Sequence, residues 1–476
     1  MMSQVDNVTR GLEGKLVDHV SRVCFEDLPP KVVEYCKLLI IDSFGVTFPG
    51  SSAPGCSEVV ELTRGWGGSG STVLIHGNEA APPFAALANS TMMHAMDFDD
   101  TLDATALHTF VTVLPAGLAT AECLGRVDGK TLITALVLGV DMICRVSLGI
   151  RRPLSWIRTA TCGSFGAAVT AGKILGLDRK RLTNALGLAY SQTSGNAQGL
   201  IEGRLVKRMQ PGFAAQAGLT SAFLARSGIT GSQNFLEGQY GFYNLYERGE
   251  YDRGPVVEGL GEHYTILDLS LKPYPCCRMT HASIDAALQL RNVIGASVQD
   301  IEEIRVIASK MVTEMVGKTF VIGTDPQVDA QFSIPYTVSA ALLYGDVFLK
   351  DFEVAAIMDE EVRTLAERVK VTSDPDLPDK DILHARMTIR MKNGQNHEAS
   401  VNAPLGNPSR PLTMERCKYK FRKCLAQSKV DFDDGRTNEL LSMIEELEQV
   451  QDVRLLTALM QSEKSDLKLK NVPLND

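Results

Sequence analysis

GSFGAAVTAGKILGL, residues 163–177, decides how this chain folds. Gly163, Gly166, Ala167, Ala168, Ala171 and Gly172 leave a helix here with little side-chain bulk. Such a helix gains stability only when neighbouring helices come close enough to cover its backbone. The texture returns in GFAAQAGLTSAFLA, 212–225. Apolar periodicity predicts helices over 80–98, 109–125, 129–149, 162–175, 179–194 and 212–227. These glycines therefore read as packing positions in one large helical body.

Towards the N-terminus, helical spacing covers Val8 to Phe25 and Pro30 to Gly50, punctuated by Pro29 and Pro30. The second of these is apolar nearly all round, which predicts burial. TRGWGGSGSTVLIHG, 63–77, is a glycine-rich loop running into a short β-branched stretch. It lacks the GK[ST] of a phosphate loop, and no GxGxxG opens a helix after a strand.

From about residue 267 the pattern changes. IEEIRVIAS (301–309), ARMTIRMKNG (385–394) and HEASVNAP (397–404) alternate and are β-branched, and Lys392-Asn393-Gly394 is a hairpin signal. DAQFSIPYTVSAALLYGDV, 329–347, predicts one helix. Charged amphipathic helices follow over 412–426, 436–449 and 451–460. The fold class is mainly α: a large all-α domain from both chain ends, 1–267 and 406–476, plus a smaller α+β lid domain over 268–405.

Of the 476 residues 44% are hydrophobic and 22% charged, which suits an ordinary globular chain with more than one core. The net charge of −9 argues against general affinity for nucleic acid or an anionic membrane. An anionic substrate would need a local cluster of cations. Ten cysteines without a CxxC pair suit buried thiols in a reducing compartment, so vicinal Cys276 and Cys277 receive no chemistry. The N-terminus has no apolar signal core, and no run reaches eighteen apolar residues. A cytoplasmic location and no membrane span are the expectations.

Chemistry concentrates in NSTMMHAMDFDDTLDATALHTF, 89–110, where histidines, aspartates and threonines crowd into about six helical turns of sequence. His94, Asp97 and Thr101 fall at helical spacing, Leu102 to Leu107 reads as a short connection, and His108 opens the next helix. Three readings compete. Asp99, Asp100 and Thr101 could cap helix ends. His and Asp together could bind a divalent ion, and DDTLD has the DDxxD form of metal-dependent prenyl synthases, superficially repeated in DFDDGRTNE at 431–439. The third is metal-free acid–base catalysis by an imidazole, a carboxylate and a hydroxyl. Arg204, Lys207 and Arg208 gather just before a Pro-Gly break and are the candidate anion cluster. His281, three residues after Arg278 and following the Lys272 turn, is a candidate to line a site.

Taken together, HAMDFDDTLDATALHTFVTVLPA, TATCGSFGAA, LVKRMQPGFAA, KPYPCCRMTH and QFSIPYTVSAALLYGD resemble the MmgE/PrpD family in order and spacing across nearly the whole chain. That family includes 2-methylcitrate dehydratases, cis-aconitate decarboxylases and an iminodisuccinate epimerase. The resemblance implies a homodimer, a site between the two domains, a small di- or tricarboxylate substrate and no organic cofactor, and the favoured reading of 89–110 needs no metal. It places catalytic positions on Asp97, Thr101, His108, Lys207 and Tyr336. It adds Lys272 and His281 as substrate-binding positions to Arg204 and Arg208 of the cation cluster. Relatives often carry a histidine where this chain has Ile157 and Arg158. Arg158 is thus a further candidate for holding a carboxylate.

The shared chemistry is a carbanion or enolate beside a carboxylate. The expectation gives His108 the proton transfer, Asp97 its orientation, and Tyr336 or Lys207 the second proton. A cofactor-independent lyase leads. An epimerase on the same scaffold and a non-catalytic carboxylate binder are the rivals.

Overall fold

The computed structural model describes residues 11–462, apart from 154, 155, 296 and 324. The chain is mainly α with a minor sheet. It forms two compact units, Met1–Leu269 with Met414–Asp476, and Ser270–Thr413.

In the first unit the Arg158–Ile174 helix packs on Phe110–Leu124, Gly129–Leu148 and Val206–Arg226. The small residues are what let it do so. A Cβ on Gly139 would lie 2.1 Å from Thr170 Oγ1 and 2.9 Å from the Gly166 carbonyl. That approach excludes any larger residue, and Thr170 donates across it to the Ala135 carbonyl at 3.2 Å. Gly129–Leu148 is long and apolar enough to cross a membrane, but it is almost wholly buried inside this unit. It also carries Asp141, whose carboxylate accepts Arg145 Nε at 2.7 Å and the Thr265 N–H at 3.0 Å.

Several expected boundaries move. The first helix is Leu12–Arg22, and the expected start at Val8 lies outside the described residues. Pro30–Gly50 forms as expected. The expected loop at 63 begins later, because the Cys56–Trp66 helix occupies its first residues. The expected 80–98 helix stops at His94. The helix expected from 212 starts at Val206, so Pro211-Gly212 is no break. Pro211 gives up one N–H there, but Gly212 faces the Pro82–His94 helix, where a Cβ would come 2.8 Å from the Leu87 carbonyl. Close packing at that point holds the helix together through the proline.

Near the C-terminus, Met414–Ala426 lies along Pro30–Gly50. Lys420 and Asp42 pair between them at 2.6 Å. Thr457, in the Arg454–Leu459 helix, donates to Glu122 at 2.6 Å.

The second unit holds a four-stranded sheet in the order Val369–Ser373, Ile301–Ala308, Ala385–Met391, Asn396–Val401. The first pair is parallel and the other two are antiparallel. Three strands match the sequence expectation. Val369–Ser373 does not figure in it, because a five-residue edge strand with a mostly exposed face carries little alternation. His281–Ile294 covers the sheet and packs against Ile334–Tyr344. The helix expected over 329–347 is instead two, Pro326–Gln331 and Ile334–Tyr344. Pro335 cannot sit inside a continuous helix without losing a bond, and Ser333 starts a new one by accepting the Tyr336 N–H at 3.2 Å.

Candidate active site

The Pro82–His94 helix ends at His94, so His94, Asp97 and Thr101 do not share a helical face as expected. Asp97 takes φ +51°, a left-handed conformation uncommon for a residue with a side chain, and the chain turns sharply there. Thr101 is buried where the following loop begins. Leu102 and Leu107 bond to each other and close that loop, as 2.7 Å from the Leu102 N–H to the Leu107 carbonyl records. Closure returns His108 to the aspartates that precede it in sequence.

The adjacent aspartates do different work. Asp100 caps the Phe110–Leu124 helix: its carboxylate accepts the N–H groups of Thr109 and Phe110 at 2.9 and 3.0 Å and the Thr109 hydroxyl at 2.8 Å. Burial, followed by the neighbouring Asp99 charge, raises its pKa against those donors. Asp99 serves the imidazoles. Its Oδ2 accepts from His94 Nδ1 at 2.9 Å and from His108 Nδ1 at 3.0 Å. Burial alone would raise the Asp99 pKa, but the two imidazoles, His108 foremost, hold it well below the usual carboxylate range. The carboxylate that orients His108 is thus Asp99, which sequence reasoning left among the caps, and not Asp97. Five residues separate His94 from Asp99, a spacing that no single helix would join.

His108 is fixed from several directions. Its Nδ1 lies 2.7 Å from the Asp100 carbonyl, and its backbone N–H donates to Thr159 Oγ1 at 3.0 Å. Both neighbours of Nδ1 are acceptors, so Nδ1 carries the proton and Nε2 is left as the reactive nitrogen. Nε2 has no hydrogen-bond partner among the described residues, and the side chain is 15% exposed. His94 stands edge-on to it, ring centroids 4.8 Å apart, and is buried. Burial, then the Lys207 charge, lowers the His94 pKa to about 4 despite Asp99, so this imidazole is neutral at pH 7.

Lys207 reaches this group from the first turn of Val206–Arg226 and donates to Asp97 Oδ1 at 2.7 Å. The other two expected cations do not join it. Arg204 is exposed, 3.8 Å from Glu202, and Arg208 donates to the Pro54 carbonyl at 2.8 Å. The angular step between successive helical positions sends 207 and 208 to different sides. Arg158 is committed to the scaffold: it donates to the Thr105 carbonyl at 3.1 Å and the Arg152 carbonyl at 2.8 Å. It braces the His108 loop, which is a positioning task and not the carboxylate binding expected of it.

Three expected residues belong to the second unit. Tyr336 is fully buried in that unit's core, and its hydroxyl donates to the Asp351 carbonyl. Burial raises its pKa, so the phenol keeps its proton, which it directs at that carbonyl. His281 is buried, with Nδ1 3.2 Å from Arg278 Nη1 and Nε2 3.3 Å from the Cys276 carbonyl. Those contacts orient the ring within the turn. Lys272 is buried at the entry to the same turn.

Divalent-ion binding was an open reading of the 89–110 stretch. His94, Asp99 and His108 have donor atoms within 4.8 Å of one another, close enough for one ion. With each Nδ1 set against an oxygen acceptor, a cation at this place would have to displace the protons that those contacts assign to the two rings. The arrangement is a carboxylate shared by two imidazoles, suited to moving a proton.

Residues 14–253 match the MmgE/PrpD N-terminal domain, and residues 274–445 match the MmgE/PrpD C-terminal domain. The chain belongs to the MmgE/PrpD family. The cis-aconitate decarboxylase of Aspergillus terreus is 28% identical over 481 residues, spanning 95% of this chain and 96% of that protein. The cis-aconitate decarboxylase of Mus musculus is 27% identical over 90% of this chain and 89% of its own length. The Homo sapiens enzyme of the same name is 27% identical over 91% of both chains. This MmgE/PrpD member is an enzyme of the lyase class.

Proposed function

We propose that this chain is a cofactor-independent carboxy-lyase acting on a small unsaturated tricarboxylate of the cis-aconitate type. One observation carries the reading: His108 is held by Nδ1 on Asp99 and the Asp100 carbonyl, which leaves Nε2 free for a proton. Near-full-length similarity to three cis-aconitate decarboxylases supports the substrate class.

In such a reaction the bond between a carbon and its carboxylate breaks and carbon dioxide leaves. The electron pair stays on the carbon framework, delocalised over the adjacent double bond and carboxylate, until a carbon takes a proton. Protonated His108 Nε2 supplies that proton, and solvent restores it. Lys207 has N–H groups beyond the one on Asp97 with which to hold a remaining substrate carboxylate. A lysine beside Asp97 acts here as a fixed charge.

The reading is tested by proton NMR of the purified protein in D₂O with cis-aconitate, citrate, 2-methylcitrate and a set of amino-dicarboxylates. The expected result is loss of carbon dioxide from cis-aconitate, with one solvent deuterium on carbon in the product. Loss of water from 2-methylcitrate would make it a hydro-lyase. Deuterium exchange without elimination would make it an epimerase or isomerase, and turnover of none would overturn the proposal.

A further inference from the structure

Asp99 is a buried carboxylate with two donors, both imidazoles, and its Oδ1 has no hydrogen-bond partner among the described residues. Among the described residues its hydrogen-bond donors are His94 and His108, both on the same oxygen. His94 is closer, at 2.9 Å against 3.0 Å, while the His108 Nδ1–H is divided between Asp99 and the nearer Asp100 carbonyl at 2.7 Å. Two donors on one oxygen compete, since each weakens the other's hold on the lone pairs and on the oxygen's position.

We propose that His94 is a positioning residue that governs His108: by occupying the shared Asp99 oxygen with its own N–H, it limits how strongly Asp99 favours the cationic form of His108. The proposal rests on the reading of His108 as the proton carrier. Without His94, the orphaned carboxylate has one donor left, and the form of His108 that compensates it best is the imidazolium. His94 thereby keeps His108 ready to give its proton up.

Other charges face this pair from every side of the first unit. Asp100 lies beneath His108, with its carboxylate turned to the Phe110–Leu124 helix. Lys207, paired with Asp97, approaches His94 from the Val206–Arg226 helix. Arg158 braces the loop from its own helix, and the Asp42–Lys420 pair lies behind the aspartates. Each of these has its own partner, so a change at His94 is felt first at Asp99.

The test is a histidine Cε1 NMR titration of the full-length enzyme without substrate, with the His108 signal assigned by its loss in His108→Gln. Replacing His94 by Phe removes the donor and keeps a ring. The His108 midpoint should then rise by about one pH unit. His94→Asn places an amide N–H where Nδ1 was and should return the midpoint to within about 0.3 units of wild type. In turnover, the alkaline limb of kcat/KM, where His108 loses the proton it must donate, should move with the midpoint in each variant. An unmoved midpoint in His94→Phe, or equal shifts in both variants, would overturn the proposal. The wild-type protein supplies a second measurement that needs no folded Phe variant. Its His94 nitrogen shifts should report a neutral Nδ1–H form across about pH 5–8, and a His94 that takes up a proton before His108 would equally overturn it. Because the titration needs no substrate, it stands apart from the outcome of the substrate panel.

Discussion

The Lys420 ammonium lies 3.7 Å above the centre of the Phe98 ring and donates to the Phe98 carbonyl at 2.8 Å. A cation from the C-terminal helices thus grips the residue immediately before Asp99. The same ammonium pairs with Asp42 of the Pro30–Gly50 helix, and both side chains are buried. Three distant parts of the chain meet on one nitrogen, which fixes the segment between the two imidazoles at Phe98.

Lys420→Met should be strongly destabilising, since it strands the Asp42 carboxylate in the core. The expected cost is about 3–5 kcal/mol, as for other half-broken buried pairs. Urea unfolding of the variant against wild type measures it. A loss under about 1 kcal/mol would show that the core adapts.

His108→Ala should lower turnover by about 10²–10⁴-fold and leave the circular dichroism spectrum near wild type. Asp99→Asn should lower turnover too, because an amide oxygen in the place of Oδ2 carries no full negative charge with which to stabilise a protonated His108. Retained full activity in His108→Ala would remove the proton-transfer assignment.

Stability should also fall in mild acid through His94. Its folded-state pKa of about 4 lies below the unfolded value of about 6.5, so the unfolded chain binds the proton more readily in between. The contribution is complete above about pH 6.5 and is lost as pH falls towards 4, by about 3 kcal/mol in total. Asp42 works the other way, since burial, against the pull of Lys420, raises its pKa to about 6 and protonation there favours the folded state. Comparison with His94→Asn isolates the histidine. The stability gap between wild type and variant should move against wild type from pH 7 to pH 4.5 in parallel urea titrations.

Prolonged dialysis against a chelator should leave turnover unchanged if the Asp99 carboxylate serves the two imidazoles and not a cation. Loss of activity restored by an added divalent cation would reopen the metal reading of the His94, Asp99 and His108 group.

Much of the fold was legible from the sequence because packing needs repeat along it. Dense glycine and alanine at helical spacing announce close-packed helices, as Gly139 and Gly166 bear out at their crossing. Alternation announces Ile301–Ala308, Ala385–Met391 and Asn396–Val401. Where the signal was short it failed, as at the edge strand Val369–Ser373. Proline was misread twice: Pro211 was tolerated inside a helix where a break was expected, and Pro335 divided a helix expected to be continuous. The difference is context, since Gly212 beside Pro211 lets the helix pack tightly, while Ser333 beside Pro335 offers a cap.

In the candidate site, the sequence by itself determined which chemical groups are present: imidazoles, aspartates and a lysine within short reach of helix ends. It could not say which aspartate serves which imidazole. Asp99 and Asp100 are neighbours of identical chemistry, yet one holds His94 and His108 and the other caps a helix. The left-handed turn at Asp97 and the loop closed between Leu102 and Leu107 made that choice. Likewise Arg204, Lys207 and Arg208 are one cluster in sequence, but only Lys207 reaches the aspartates. Residue type sets what a side chain can donate or accept. Its partner is set by the direction in which the backbone points it, and that direction is decided by tertiary packing.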